Sequence, residues 1–284
     1  MTKVAIVTDS NGGINQAEGE QLGIYIVPMP FTINKETLFE DINLTQEEFY
    51  QHLENDAEVF TSQPTPGDVI KLWENILKEY DEIVHIPMSS GLSGSCQTAI
   101  MLASELHSDK VQVIDAKRVS ITQRGIVEDA INLVNQGKNA LEIKNILEDE
   151  NHKGTIYLAV ATLDYLKKGG RITPAAATLG AMLKIKPILT IQGEKLDAFS
   201  KTRTMSKAYK IMAQAIQEDI NKYFKNEKYS IAIAHSNDLE GALELKSYCE
   251  IVFPGIIINI DKLSLSVSCH TGPGAIGIGI FNKI

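Results

Sequence analysis

The sequence predicts an α/β fold of two domains: a doubly wound parallel-sheet N-terminal domain over residues 1–152 and a smaller α/β domain with a mixed sheet over residues 153–284, with a ligand between them. Three observations predict it. A strand–helix–strand succession runs from Glu82 to Ile114, an order that makes a right-handed crossover between parallel strands. Lys3–Val7 (KVAIV) is a short apolar run of the kind a parallel sheet buries on both faces. The polar stretch Asp149–Gly154 then separates this part from a second set of strands and helices.

Taken in order, Lys3–Val7 is the first strand, ending in Thr8-Asp9-Ser10, and Ile24–Val27 the second. Thr45-Gln46-Glu47-Glu48 is a capping box that opens a helix through Asn55. Thr65 stands at an N-cap with Pro66 at the first helical position, starting a helix to about Glu79. Glu82–Ile86 is a strand, Pro87–Gly94 a loop, Ser95–Leu106 a helix and Val111–Ile114 a strand. Helices near Gly125–Gln136 and Ala140–Glu148 complete the first half. In the second, strands are expected at Ile156–Ala161, Lys186–Gln192, Ser230–His235, Ile256–Ile260 and Ile276–Phe281. Helices are expected around Ala175–Leu183, Ser206–Tyr223 and Leu239–Tyr248.

Composition narrows the function. With 36 acidic against 27 basic residues the formal charge is −9, and no basic patch suited to nucleic acid or an anionic membrane is visible. The start, MTKVAIVTDS, has too short an apolar run for a signal peptide, and no segment has the length of a transmembrane helix. Cys96, Cys249 and Cys269 are odd in number and widely spaced. A reduced, cytoplasmic setting is therefore expected, with no metal site.

The chemistry is concentrated in three hydroxyl-rich segments: Thr61–Thr65 (TSQPT), Ser89–Ser95 (SSGLSGS) and Ser268–Gly277 (SCHTGPGAIG). They hold hydroxyls, free backbone N–H groups and one histidine, but no carboxylate, lysine or arginine. Such a set suits a small anion held by hydrogen bonds. In a parallel sheet ligands sit beyond the carboxyl ends of the strands, where the Thr8–Ser10 and Ser89–Ser95 loops belong. The plainer reading of Ser89–Ser95 is a serine-rich helix start with Ser93 or Ser95 as the cap. The sharper one is a nucleophile elbow, but Gly91-Leu92-Ser93-Gly94-Ser95 places a serine where the second glycine of G-x-S-x-G belongs. A serine acyl hydrolase would pair Ser93 with His270, oriented by Asp9 or Asp115. A phosphotransferase acting on a sugar- or dihydroxyacetone-like substrate is a third possibility for hydroxyl loops.

In the third segment, read as a loop, His270 and Thr271 precede Gly272-Pro273-Gly274, where glycine permits close backbone approach. His235 reads as a packed structural histidine. Thr162–Ile172 (TLDYLKKGGRI) has no Walker pattern, and Lys167 and Lys168 read as solvated. Arg171 and Arg203 each sit in a basic, polar stretch and are candidate partner contacts. Ala175–Leu183 (AAATLGAML) alternates small and apolar residues; close helix packing is the default, and room for an apolar ligand the alternative. An alkyl carboxylate would unite a polar head on the hydroxyl segments with a buried tail, at roughly 0.8 kcal/mol per buried CH₂.

Six segments in order resemble the DegV family of bacterial fatty-acid-binding proteins: VTDS at Val7–Ser10, TSQPTPGD at Thr61–Asp68, SSGLSGS at Ser89–Ser95, TLDYLKKGGRI at Thr162–Ile172, LKIKPIL at Leu183–Leu189 and HTGPGAIGIG at His270–Gly279. The resemblance covers nearly the whole chain. It implies a long-chain fatty acid as ligand, its carboxylate on Thr61, Ser93, His270 and Thr271, and no catalytic residue or cofactor of the chain's own. It also implies a separate ATP-binding kinase subunit as partner, making acyl phosphate for phospholipid synthesis. One departure stands out. Where the family shows D-S followed by S-x-G-x-G, this chain reads DAKRVSITQRGIV, keeping Ser120 but placing Thr122 and Arg124 at the glycine positions.

Overall fold

A computed structural model describes residues 2–55, 57–149, 154–179, 185–225 and 227–284. Most of the expected boundary at Asp149–Gly154, with His152, lies outside the described residues, as do the end of the helix expected over Ala175–Leu183 and the start of the LKIKPIL segment. In order, the elements are β1 (Val4–Asp9), a 3₁₀ turn (Ser10–Gly12), α1 (Gln16–Leu22), β2 (Tyr25–Val27), β3 (Pro30–Ile33), β4 (Glu36–Phe39), α2 (Gln46–Glu54), β5 (Val59–Thr61), α3 (Pro66–Ile76), β6 (Glu82–Ile86), α4 (Ser95–Leu106), β7 (Val111–Val113), α5 (Ser120–Asn135) and α6 (Ala140–Asp149). They continue with β8 (Gly154–Ala159), α7 (Asp164–Gly169), α8 (Pro174–Leu179), β9 (Lys186–Ile191), β10 (Asp197–Thr202), α9 (Met205–Tyr223), β11 (Tyr229–His235), α10 (Leu239–Val252), β12 (Ile258–Lys262), α11 (Leu265–Thr271) and β13 (Ile276–Asn282).

The doubly wound part is a four-stranded sheet in the order β2-β1-β6-β7, parallel throughout. Successive β1 side chains point to opposite faces. Val4 and Ile6 pack with Ile126 of α5 and Ile143 and Leu147 of α6. Ala5 and Val7 pack with Trp73 of α3 and Ala99 and Leu102 of α4. Both faces are therefore covered, which is why the strand is apolar without alternation. Trp73 is fully buried, its indole edge-on to the His85 ring at 5.5 Å.

The mixed sheet has six strands, β10-β9-β8-β13-β11-β12, antiparallel except for the β11–β12 pair. It is the larger sheet, although the second half of the chain is the shorter. Ile276, Ile278 and Ile280 of β13 face α9 and α10 on one side. Gly277 and Gly279 face the other, beside Ala232 and Ala234 of β11 in the paired register. Helix α5 spans both sheets: Ile126 packs on the parallel one, while Ile121 meets Ala232, Ala234 and Phe281 of the mixed one.

A third sheet, β4-β3-β5, is antiparallel and was not expected. Its hairpin turns on Asn34 and Lys35, both left-handed (φ 49° and 74°), the backbone of a type I′ turn without the glycine that normally marks one. Helix α2 covers it through Phe49, Tyr50 and Leu53. The expected capping box is present: the Glu48 N–H donates to Thr45 Oγ1 (3.2 Å) and the Thr45 N–H to Glu48 Oε2 (2.8 Å). Thr65 caps α3 as expected, accepting the Asp68 N–H at 3.2 Å.

Two expectations require correction. Ser268–Gly277 is not a loop: Ser268 to Thr271 form the last turn of α11, which Gly272 ends at φ 74°. Neither Ser93 nor Ser95 caps α4. Gly94 is the N-cap, without a side-chain bond, and Ser93 Oγ accepts the Ser95 N–H at 3.2 Å.

Candidate functional site

One cavity, with about 850 Å³ of unfilled space partly open to solvent, gathers residues from the mixed sheet, from the end of β5 and from the loops beyond the parallel sheet. Thr61, Ser93, His270 and Thr271 all line it, so segments scattered over two hundred residues converge on one site. The rest of its wall is largely apolar: Met88, Leu92 and Val119 from the parallel side, Ile156, Leu158 and Ile191 from the mixed sheet. Gly277 and Ala234 also line it. Their lack of bulk hollows the sheet face that larger residues would fill. A Cβ on Gly277 would meet Leu158 Cδ1 at 3.4 Å, ordinary contact, so any larger side chain would project into the cavity.

The polar end is built around His270. Its Nε2 lies 2.9 Å from Thr61 Oγ1 at the end of β5. On the other edge of the ring, a Cβ at Gly169 would fall 2.1 Å from Nδ1; Gly169 is there to admit the imidazole. A Cβ at Gly272 would strike the Tyr165 ring at 2.4 Å. Helix α11 is anchored along its length: Glu40 Oε2 accepts the Leu265 N–H (2.8 Å), Ser266 donates to Asn11 Oδ1, and Tyr50 OH donates to Ser268 Oγ (3.1 Å). Burial, then the positive charge of Arg171, lowers His270 from its ordinary 6.5 to about 4. The imidazole is therefore neutral at pH 7 and can either donate to or accept from Thr61.

Arg171 also lines this cavity, its Nε donating to the Leu92 carbonyl at 3.3 Å. The three hydroxyl segments carry no cation, but the fold brings one to them. Arg203 is exposed in the turn between β10 and α9 and is not part of the cavity wall. Ser120 is a wall residue that sequence reasoning left unassigned; it is buried and held at φ 54°, which nothing in its neighbours advertises. The departure at Thr122 and Arg124 has a local explanation. Thr122 Oγ1 donates to the Val119 carbonyl at 2.9 Å, and Arg124 pairs with Glu18. The glycine of this helix that cannot be replaced is Gly125, whose Cβ would lie 2.1 Å from the Phe281 ring.

The structure does not assemble a hydrolytic triad from the candidates. Ser93 Oγ bonds the Ser95 N–H and His270 bonds Thr61. Asp9 bonds Met88, Asn11 and Gln123, and Asp115 bonds Ser90. The described part of the Ala175–Leu183 segment does not line the cavity; Ala176 is packed against Leu166 and Leu189 instead. Lys168 is exposed, as expected, with its ammonium 5.6 Å from the Phe60 ring. His235 is buried and accepts the Asp238 N–H at 3.1 Å. Among the described residues no cluster of His, Cys, Asp or Glu is arranged to hold a metal, and no helix is long and apolar enough to cross a membrane.

A mixed sheet and the loops beyond a parallel one, enclosing an apolar cavity with a hydrogen-bonding end, define a class: an α/β protein built to hold an amphipathic small molecule. Residues 3–283 match the family described as "Uncharacterised protein, DegV family", and the chain belongs to the DegV family. A DegV domain-containing protein of Staphylococcus aureus is 34% identical over 283 residues, covering all of both chains. Protein DegV of Bacillus subtilis is 31% identical, covering 97% of this chain and 98% of its own. Among solved structures, DegV of Bacillus subtilis, a fatty acid binding protein, superposes with a TM-score of 0.87 at 29% identity over the full length of both chains. The fatty acid binding DegV family protein of Streptococcus agalactiae gives 0.90 at 27% identity, also over the full length of both.

His270 generates a prediction. Its proton is lost at about pH 4 in the folded chain but at 6.5 in the unfolded one. The unfolded state thus binds the extra proton between those values, and stability contributed above 6.5 is withdrawn as pH falls toward 4. NMR titration of the imidazole should show no transition between about pH 5.5 and about pH 8. A midpoint near 6.5 would mean that the ring is solvated and the site is not formed as described.

Proposed function

We propose that this protein binds a long-chain fatty acid and presents its carboxylate to a separate ATP-dependent kinase subunit, which converts it to acyl phosphate for phospholipid synthesis. The observation that carries the binding part is the joining, in one cavity, of a polar end at Thr61, Ser93, His270 and Thr271 to a long apolar wall. Relatives at 27–29% identity that bind fatty acids support the same ligand class.

The chemistry follows from the lining. Hydroxyls and a neutral imidazole donate hydrogen bonds to the carboxylate, while Arg171 supplies counter-charge from the same wall. The tail lies against Ile156, Leu158 and Ile191, over the hollow that Gly277 and Ala234 leave. Phosphorylation would require the carboxylate oxygen to attack the γ-phosphorus of ATP held by the partner, breaking its bond to the bridging oxygen and releasing ADP, with this chain acting as the substrate-binding subunit rather than the enzyme. Arg203, exposed outside the cavity, is the proposed partner contact, and a cytoplasmic location follows from the same reading.

Mass spectrometry of the purified protein, native and then after solvent extraction, should return a stoichiometric fatty acid. A chain that purifies empty and refuses added fatty acid would end this reading. Ser93→Ala and His270→Ala should each weaken fatty-acid binding about tenfold, the loss of roughly one such hydrogen bond, with folding retained; unchanged binding in both would remove the head-group assignment. Gly277→Val should reduce binding of the longest chains first, checked by competition among fatty acids of increasing length. In a transfer assay with the kinase, Arg203→Ala should slow acyl-phosphate formation while lipid binding stays intact, and equal rates would rule that contact out.

A further inference from the structure

Helix α11 begins without a cap of its own. Its N-cap residue, Ser264, accepts no backbone N–H of the first turn; its hydroxyl hydrogen-bonds that of Ser266 instead, at 3.2 Å. The missing partner comes from 225 positions earlier in the chain, where Glu40 Oε2 accepts the Leu265 N–H at 2.8 Å. The other carboxylate oxygen of Glu40 accepts from Gln46 Nε2 at 3.0 Å, and the same amide lies 3.3 Å from the Leu263 carbonyl. Glu40 and Gln46 therefore hold the backbone on both sides of Ser264. A carboxylate facing the first N–H of a helix is favoured by the helix dipole and by charge-assisted hydrogen bonding. Burial opposes it and raises the Glu40 carboxyl to about 7, against the pull of its two donors.

The far end of this two-turn helix is the head of the cavity. His270 lies five positions beyond Leu265, a rise of about 7.5 Å, so a shift at the first turn reaches the imidazole. The partner of that imidazole, Thr61, ends β5, which shares a sheet with β4, the strand running into Glu40. One small sheet thus carries both Thr61 and the group that sets its partner. Glu40 does not line the apolar cavity; it faces a separate polar one beside Ser10, Arg124 and Lys262. Its influence on a ligand passes through α11, which it holds, and through the small sheet that carries Thr61.

We infer that Glu40 is a positioning residue for the head of the cavity, holding α11 at the height where His270 meets Thr61. The inference deepens the fatty-acid reading and rests on it for the ligand measurement alone. The test compares Glu40→Ala, which removes the acceptor, with Glu40→Gln, which keeps an oxygen for the Leu265 N–H. Glu40→Ala should shift the His270 ring resonances and lower affinity for a long-chain fatty acid about tenfold. Glu40→Gln should restore most of both, and Glu36→Ala, on the exposed part of β4, should change neither. The inference is overturned if Glu40→Ala leaves the His270 resonances and the affinity unchanged, or if Glu40→Gln is as damaging as Glu40→Ala. Should Glu40→Ala not fold, Gln46→Ala serves in its place: a shift of the His270 resonances away from their wild-type positions supports the positioning role, and an unshifted ring overturns it. A wild-type chain that takes up no fatty acid would end the binding reading, while the His270 resonances would still decide this one.

Discussion

Asp9 is a carboxylate buried at the carboxyl end of the central strand, only 2% exposed, and both halves of the cavity's polar end hang on it. Its Oδ1 accepts from the Asn11 backbone (3.0 Å), the Asn11 side chain (2.9 Å) and Gln123 (3.0 Å), and its Oδ2 from the Met88 N–H (2.8 Å). Among the described residues no cation is paired with it. Burial raises its pKa above the ordinary carboxylate value, and the surrounding donors act in the opposite sense. A charge so placed tolerates little movement, because each donor that leaves exposes an unmatched acceptor. Met88 opens the loop that carries Ser93. Asn11 passes the constraint on to Ser266 and so to α11, which carries His270. Two donors far apart in sequence are thereby referenced to one atom group.

The cavity owes its existence to side-chain size as much as to topology. Along β13 isoleucine alternates with glycine: the isoleucines fill a core on one face, while on the other Gly279 lies against Ile121 of α5 and Gly277 leaves space unfilled. Ala234 on β11 extends the unfilled face, and larger residues on β8 and β9 bound it. Helix α5 then spans both sheets, fixing the parallel sheet to the mixed one across the open space. The resulting void is lined by apolar atoms for most of its length, the environment in which an alkyl chain replaces water with favourable free energy.

What could be read from the sequence was whatever local chemistry specifies. Helices α2 and α3 announce themselves by caps whose donors and acceptors lie within three residues, and β6, α4 and β7 by an uninterrupted change of periodicity. Helix α11 could not be read that way. SVSCHT is poor in helix formers, and its anchors at Glu40, Asn11 and Tyr50 lie more than two hundred residues away. The β3–β4 hairpin hid for a different reason: Lys35 takes a left-handed backbone that sequence habits assign to glycine. The same division runs through the site. Thr61, Ser93, His270 and Thr271 were visible as residue types suited to an anion, whereas Arg171 in the wall and the strained Ser120 depend on contacts that only the folded chain creates.

Trp73 bears on how this molecule reports on itself. It is the only tryptophan, fully buried between α3 and the parallel sheet, with its ring against His85 and outside the cavity wall. Its emission is therefore a clean optical gauge of whether the parallel sheet is folded. For the same reason it is a poor witness to what occupies the cavity: an acyl chain could enter and leave with hardly any change in the indole's surroundings.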